Sequence, residues 1–340
     1  MAAEFASVKR YPFAIWSLPG STSWKGIRQL DHLINANFDL DSDGFLVAPF
    51  DKDKAPKFIR CDQEIQSLYE LENLTSIPIP TIANEIVDPI QLSHEQYVTI
   101  CRSIIDSLKR GEADKVVLSR VKSVSFTTKI IHFFIQLMES YPKAMVFMYS
   151  FGNEIWIGAS PETLFKGNST SFSTMALAGS MPVKEDPQWA SKEIQEHAYV
   201  EHYIEAILKE KALSYVKDGP NTIQAGPVLH LKSDYQGMID ASSIKPLIKA
   251  LHPTPAVCGI PLEKALALIK QNEQHDRLDY AGFFGPINNN ELNLFVNLRS
   301  AMISGNKLHL FLGGGITKDS DPEQEWKETE WKAKTLLSIL

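Results

Sequence analysis

The sequence predicts an α+β protein with large, mainly antiparallel sheets. Three observations carry that expectation. Apolar, β-branched runs follow one another at hairpin spacing, helical runs lie between the hairpins, and no internal repeat is present. Residues 1–90 are irregular, with short apolar stretches such as Gly44–Phe50 expected as strands. The proline-marked segment Ser76–Pro89 reads as an extended connector.

The pattern then sharpens. Ser93 with Gln96 forms a capping box, and Val98, Cys101, Ile104, Ile105 and Leu108 follow at helical spacing until Gly111 ends the helix. A β-branched strand is expected over Val116–Phe126, and a helix over 129–142 stops near Pro142. Ala144–Ser160 reads as a hairpin turning at Gly152-Asn153, and residues 164–180 continue the β character. Residues 188–210 are helical and charged, and a short strand is expected near Gln224–Ser233. Helices over Ser242–Leu251 and Leu262–Asn272 precede three strands, 281–287, 292–304 and 307–315. A last helix starts at about Pro322.

Composition narrows the function classes. The chain has 340 residues, 44% hydrophobic and 22% charged, which is ordinary for a soluble globular protein, in one large α/β unit or two domains. A formal charge of −7 without a basic run argues against nucleic acid. No apolar run approaches the roughly 18 residues needed to span a bilayer, so no membrane role is expected. Cys61, Cys101 and Cys258 are scattered and show neither metal-ligand nor disulfide spacing. A cytoplasmic protein with reduced thiols is expected.

Four segments offer chemistry. Residues 313–332 read GGGITKDSDPEQEWKETEWK. Gly313, Gly314 and Gly315 let ligand oxygens approach backbone N–H groups, and Glu325 and Glu328 share a helix face one turn before Lys332. Glu193 and Glu196 repeat the three-residue spacing, so two helices could clamp one hard cation. Oxygen-rich sites of this kind favour Mg2+, and His197 is the weaker argument for zinc. A solvated helix face and an ordinary i, i+4 ion pair account for the same residues equally simply. Lys115, at the mouth of an apolar strand, becomes a usable base if it is desolvated; otherwise it is a loop lysine. Glu162, after Ser160-Pro161, is a general acid or merely a cap.

Ordered blocks decide between these readings. KVVLSR, GASPETLF, ALAGS, KEIQEH, VLHLKS, HPTPAVCG, DYAGFFG, LFVNLRSAMI, GGGI and EWKETEWK occur in that order from Lys115 onward. Together they resemble the chorismate-utilising enzymes: isochorismate synthases, salicylate synthases, anthranilate synthase component I and aminodeoxychorismate synthase component I. The resemblance runs from about Gln91 to the C-terminus. Residues 1–90 correspond loosely to the family's variable N-terminal region, integrated into the fold, and 91–340 to its chorismate-binding catalytic region. The implied fold is an anthranilate synthase component I-like sandwich of two large antiparallel sheets with helices outside.

The resemblance also implies roles. Lys115 matches the lysine that activates water in isochorismate and salicylate synthases. Ala178 stands where the common aminodeoxychorismate synthases carry a nucleophilic lysine. Ala256, where salicylate synthases resemble the anthranilate enzymes in carrying threonine, points to isochorismate synthase. Glu162 matches the acid facing the leaving C4 hydroxyl. Glu196 and Glu328 match direct magnesium ligands, and Glu193 and Glu325 match groups that hold its waters. His230 matches a histidine beside the ring carboxylate. Tyr280 and Arg299 match residues binding the enolpyruvyl carboxylate, and Lys332 matches a carboxylate-binding lysine. Gly179 with Ser180, which replaces the commoner threonine, and Gly313 to Gly315 complete the substrate wall. The implied activity is isomerisation of chorismate to isochorismate, in menaquinone or siderophore biosynthesis, by a monomer without a glutaminase subunit. A salicylate synthase and a catalytically silent chorismate-binding module are the competing expectations. Trp326 and Trp331 are expected to pack, and His252 to sit at a helix end.

Overall fold

A computed structural model describes residues 10–36, 40, 42–76, 88–152 and 154–340. In chain order its strands are β1 (Phe13–Ser17), β2 (Lys25–Arg28), β3 (Gly44–Ala48), β4 (Lys57–Arg60), β5 (Gln63–Glu64), β6 (Lys115–Ser125), β7 (Met145–Ser150), β8 (Ile155–Ser160), β9 (Thr163–Gly167), β10 (Ser171–Pro182), β11 (Ser214–Ala225), β12 (Val228–Met238), β13 (Gly259–Ile260), β14 (Phe283–Asn288), β15 (Glu291–Val296), β16 (Ser300–Ser304) and β17 (Lys307–Thr317). The helices are α1 (Leu68–Ser76), α2 (His94–Lys109), α3 (Ile130–Ser140), α4 (Ser191–Lys211), α5 (Ala241–Leu251), α6 (Leu262–Asn272) and α7 (Pro322–Leu337).

The strands form two antiparallel sheets. One has nine strands in the order β13-β6-β17-β16-β8-β7-β1-β2-β5, the other eight in the order β11-β12-β10-β9-β15-β14-β3-β4. The α+β sandwich expected from the sequence is therefore what forms. The inner faces meet through aromatic side chains. Phe147 on β7 lies 4.0 Å, centroid to centroid, from Phe284 on β14, and Tyr149 packs on Phe45. Burying rings of this size supplies much of the apolar area that holds two sheets face to face. A second cluster covers the outer face of the nine-stranded sheet, where Leu71 of α1 and Phe133, Phe134 and Leu137 of α3 pack on Ile155, Ile157 and Leu310.

The N-terminal strands are woven into both sheets. β1 pairs with β7, and β3 pairs with β14. The capping box holds at Ser93 and Gln96, and α2 buries Tyr97, Val98, Cys101, Ile104, Ile105 and Leu108. α7 starts at Asp321, whose side chain accepts from Gln324 N–H, with Pro322 in the first turn, where its missing donor costs nothing. Most of the Ser76–Pro89 connector and Asn153 of the expected turn lie outside the described residues.

Two expectations needed correction. The short strand near Gln224–Ser233 is instead two long strands, β11 and β12, paired from Ser214↔Met238 to Ala225↔Val228. β11 is an exposed edge strand with almost no apolar alternation, so its sequence carries no strand period. The single strand expected over 292–304 breaks at Asn297–Arg299, where the chain leaves β15 in one sheet and enters β16 in the other. Arg299 has φ +50 at that crossing, and both flanking runs are apolar, so no break is visible in the pattern. The glycine tripeptide lies in a strand, as expected. It stays inside β17, with Gly313, Gly314 and Gly315 opposite Ser119, Leu118 and Val117.

Candidate active site

One end of the sandwich, under α4 and α7, holds a partly open cavity. Both sheets contribute to it. Val117 comes from β6 and Gly313 and Gly315 from β17, Ala178, Gly179 and Ser180 come from β10, and His230 comes from β12. Glu162, Ala256, Tyr280 and Arg299 enter from connections, Glu196 from α4 and Lys332 from α7. Residues spread over more than 150 positions are thus brought around one space. Lys115, Glu193, Gly314, Glu325 and Glu328 stand behind this wall rather than in it.

Lys115 is fully buried at the start of β6, with Nζ 2.9 Å from Glu196 Oε1 in ion-pair contact. The angle makes no hydrogen bond, so the ammonium retains donors without partners. Gly315 allows this meeting. A Cβ there would lie 2.2 Å from Glu196 Oε1 and 3.0 Å from Lys115 Cε. The glycines of β17 also leave room for Tyr280 Oη beside Gly313 and Glu325 Oε2 beside Gly314. They thus give space to side chains from α4, β6, α7 and the turn before β14. Gly315→Ala is accordingly expected to displace the Lys115–Glu196 pair and lower activity at least tenfold while thermal unfolding changes little, because the clash falls on a side-chain end. Full activity in that variant would show that the pair is dispensable.

Glu162 follows Pro161 in the turn between β8 and β9. Its backbone is anchored on β15, where Val296 N–H donates to Glu162 O at 3.0 Å. Burial pushes its carboxyl up to about 8, against the opposing charge of Lys115, so it is protonated at neutral pH. A buried carboxyl held neutral can donate a proton.

Arg299 and His230 form a fixed pair. Arg299 can only donate, so its Nη2 contact of 2.9 Å makes His230 Nε2 the acceptor. The ring proton is then on Nδ1, which donates to Gly179 O at 2.8 Å. β10 bulges here, with Gly179 at φ +69, which aims that carbonyl at the ring. Burial, then the charges of Arg299 and Lys332, push the imidazole down to about 3, so it is neutral. His230 thus orients Arg299 in this structure. Arg299 Nη1 is buried without a hydrogen-bond partner, and burial holds the guanidinium at about 10, still cationic. A buried cation with a free donor toward a cavity suits an anionic ligand.

The acidic helix faces are paired with lysines. Lys332 Nζ lies 2.6 Å from Glu328 Oε1 and donates to Gly313 O at 2.8 Å. This is no surface pair, since the side chains are only 16% and 13% exposed. Burial acts to raise the Glu328 carboxyl, but Lys332, Lys192 and Arg299 outweigh it and hold it below the ordinary range. Glu325 is fully buried, with Lys192 Nζ 2.5 Å from Oε1. Burial pushes Glu325 up to about 7 in spite of that lysine. Glu193 packs beside Gly179. Among the described residues no three acidic, His or Cys side chains are gathered closely enough to hold a metal as they stand. The donor set nevertheless suits a hard divalent cation. Lys192 feels the charges of Glu325, Glu196 and Glu328 together, and Glu325 Oε2 is buried without a partner.

Lys192 escaped the sequence reading. Its signal was the i, i+4 spacing to Glu196 on a helix already singled out. Glu273 and Arg277, which brace the cavity wall, were missed too, although they also stand four apart. His197, the weaker argument for zinc, has one ring nitrogen engaged by a hydroxyl. It is buried, 3.0 Å from Ser233 Oγ. His252 sits at the end of α5, with Nε2 3.1 Å from Pro49 O and its ring edge-on to Phe283. Trp326 packs under the Arg120 guanidinium at 3.8 Å. Cys101 and Cys258 are buried and free, and Cys61 is exposed.

The fold is shared with isochorismate synthases and anthranilate synthase component I of known structure. It superposes on menaquinone-specific isochorismate synthase MenF from Escherichia coli with a TM-score of 0.79 and 21% identity, over 98% of this chain and 90% of that one. Anthranilate synthase component I from Streptococcus pneumoniae gives 0.70 and 20%, over 96% and 91%. In sequence, residues 46–340 match the chorismate binding enzyme family, and the chain belongs to that family. The match begins well before Gln91, so it includes strands of the N-terminal region. Isochorismate synthase MenF of Bacillus subtilis is 31% identical over 74% of this chain. The vibriobactin-specific isochorismate synthase of Vibrio cholerae is 30% identical over 72% of this chain and 67% of its own length. The chain spans little more than half the length of the Bacillus subtilis and Escherichia coli MenF relatives it matches, 56% and 57%.

Proposed function

We propose that this protein is a magnesium-dependent isochorismate synthase of menaquinone or siderophore biosynthesis. The observation that carries the reading is one anion-binding cavity lined by Glu162, a buried carboxyl that is neutral at physiological pH, with the fully buried Lys115 directly behind the wall at Glu196. The isochorismate synthases among the relatives support the choice within the family.

Chorismate carries two carboxylates. Arg299, oriented by His230, and Tyr280 hold the enolpyruvyl carboxylate, and Lys332 faces the ring carboxylate. Magnesium, when bound by Glu196 and Glu328 with Glu193 and Glu325 ordering its waters, supplies the charge that neutralises that second carboxylate. Lys115 takes a proton from water, whose oxygen adds to ring C2. The double bond shifts, and the C4 hydroxyl leaves with the proton of Glu162. One water is added and one lost, so the net reaction is an isomerisation without redox chemistry. Ala256 places a methyl rather than a hydroxyl in the cavity wall, which supports release of isochorismate without pyruvate loss. Because water is the nucleophile, no glutaminase partner is needed, and we read the protein as a monomer. Three free cysteines fit the reducing cytoplasm. Among the described residues no helix is long and apolar enough to cross a membrane.

The test is incubation with chorismate and magnesium, with products separated by chromatography. Isochorismate is expected. Stoichiometric salicylate and pyruvate would instead identify a salicylate synthase, and no turnover would leave a binding module. The metal has its own test. EDTA should abolish turnover and magnesium restore it, and Glu328→Ala should remove most activity while the unfolding midpoint stays close to wild type. Full rates in metal-free buffer would exclude the metal role.

A further inference from the structure

Behind the cavity, the edge of the nine-stranded sheet is incomplete. β13 pairs with β6 over two residues only, Gly259↔Val116 and Ile260↔Lys115, and one further bond runs from Val117 N–H to Cys258 O. Beyond that point, among the described residues, β6 has no neighbour strand on this side. Alternate residues of a strand turn their amides to the same edge, so Val117 O and Ser119 N–H face the gap. Unpaired backbone groups at a buried edge are costly.

The gap is filled by side chains. Arg277 Nη2 donates to Val117 O at 2.7 Å, and Ser119 N–H donates to Glu273 Oε1 at 2.7 Å. The two side chains are joined by bonds from Arg277 Nε to Glu273 Oε2 at 2.8 Å and from Nη2 to Oε1 at 2.5 Å. Each is only 3% exposed. The same guanidinium reaches the opposite wall, where Nη1 donates to Val257 O at 2.8 Å. Tyr280 N–H donates to Arg277 O at 2.9 Å. One ion pair therefore ties three pieces of cavity wall together: the strand that begins at Lys115, the connection that carries Ala256 and Val257, and the turn that carries Tyr280.

We infer that the Glu273–Arg277 pair is a positioning element of the active site, standing in for the missing neighbour of β6 and setting Lys115 against the opposite cavity wall. A purely stabilising role explains the arrangement poorly. A buried ion pair carries a large desolvation cost, and apolar residues of similar volume often stabilise as well or better. Apolar residues could not, however, bond Val117 O, Val257 O and Ser119 N–H at once. The planar guanidinium can reach two carbonyls and a carboxylate in fixed directions, and a lysine ammonium cannot. Lys115, Val117 and Ser119 share one face of β6, so a shift at Val117 is carried to Lys115 two residues away.

The catalytic half of this inference rests on the isochorismate synthase reading; the structural half does not. Arg277→Lys and the milder Glu273→Gln are to be made alone and together with Lys115→Gln. Each single variant is expected to lower kcat about ten- to a hundredfold, the range for reacting groups misplaced by about 1 Å. In the Lys115→Gln background the same changes should alter the residual rate by less than about threefold, because the group they position is gone. Amide hydrogen exchange at Ser119 should accelerate in both variants whether or not chorismate is turned over. Unchanged exchange at Ser119 would overturn the brace. Equal losses of kcat with and without Lys115 would show a general structural effect and overturn the positioning role. If wild-type protein does not turn over chorismate, the functional reading fails, and the exchange measurement still decides the brace. If Arg277→Lys does not fold, Glu273→Gln carries both measurements.

Discussion

Replacing Lys115 by glutamine is expected to lower the turnover of chorismate by about 10²–10⁴-fold, the usual contribution of a general base. The lysine is fully buried, and its ammonium is paired with Glu196 rather than with solvent. Glutamine keeps most of the side-chain length and can still donate to Glu196, so the fold should tolerate it. It cannot take a proton from water. Arg299 and Lys332 remain in the cavity, so chorismate should still bind with an affinity within about tenfold of wild type. Rate and affinity therefore separate: kcat collapses and the dissociation constant hardly moves. Stopped-flow binding beside a coupled isochorismatase assay measures both. An unimpaired Lys115→Gln enzyme would remove the water-activation mechanism, and a variant that has merely lost affinity would move Lys115 to the binding groups.

Glu162→Gln is the second large effect, and pH gives it a signature. Burial raises this carboxyl to about 8, so at neutral pH it stands protonated in the cavity wall, where the proposed reaction needs an acid for the leaving hydroxyl. An acid works only while it holds its proton. Turnover is expected to be insensitive to this group below pH 8 and to fall as the pH rises through that value. The substituted glutamine amide is similar in shape and, like the protonated acid, uncharged, so folding should be little affected. It has no proton to give, and kcat should drop by about 10²–10⁴-fold, because the C4 oxygen would have to leave as hydroxide. The residual rate of the variant should lack the limb near pH 8. A wild-type profile flat from pH 6 to 10, or a limb that survives in Glu162→Gln, would assign the acid to another group.

Local sequence was enough for the parts of this protein that local physics governs. The capping box at Ser93 and Gln96 and the apolar stripe of α2 fix that helix without help, because hydrogen bonds and burial lie within four residues of each other. The helix over Leu262–Asn272 and the hairpin of β7 and β8 were legible for the same reason. Most of the candidate site was legible as well, as ordered blocks of residue types. Glu162, Glu196, His230, Tyr280, Arg299 and Lys332, far apart in sequence, do converge on one cavity.

Only the tertiary structure decided what each of those residues touches. Glu325 and Glu328 share a helix face as their spacing requires, yet one meets Lys192 of α4 and the other Lys332 of its own helix. Arg299 belongs to a crossing between sheets rather than to a strand, because two apolar strands in register with different partners look like one in sequence. The glycines of β17, two of which line the cavity, also make room for Glu196, Lys115 and Tyr280, side chains from other elements that no local pattern announces. The brace of Glu273 and Arg277 was unreadable because its meaning is a gap, the place where β13 ends and β6 continues alone. Spacing along a chain reports which side chains can share a face. Which charge neutralises which, and which backbone group is left for a side chain to satisfy, depends on where strands end in space.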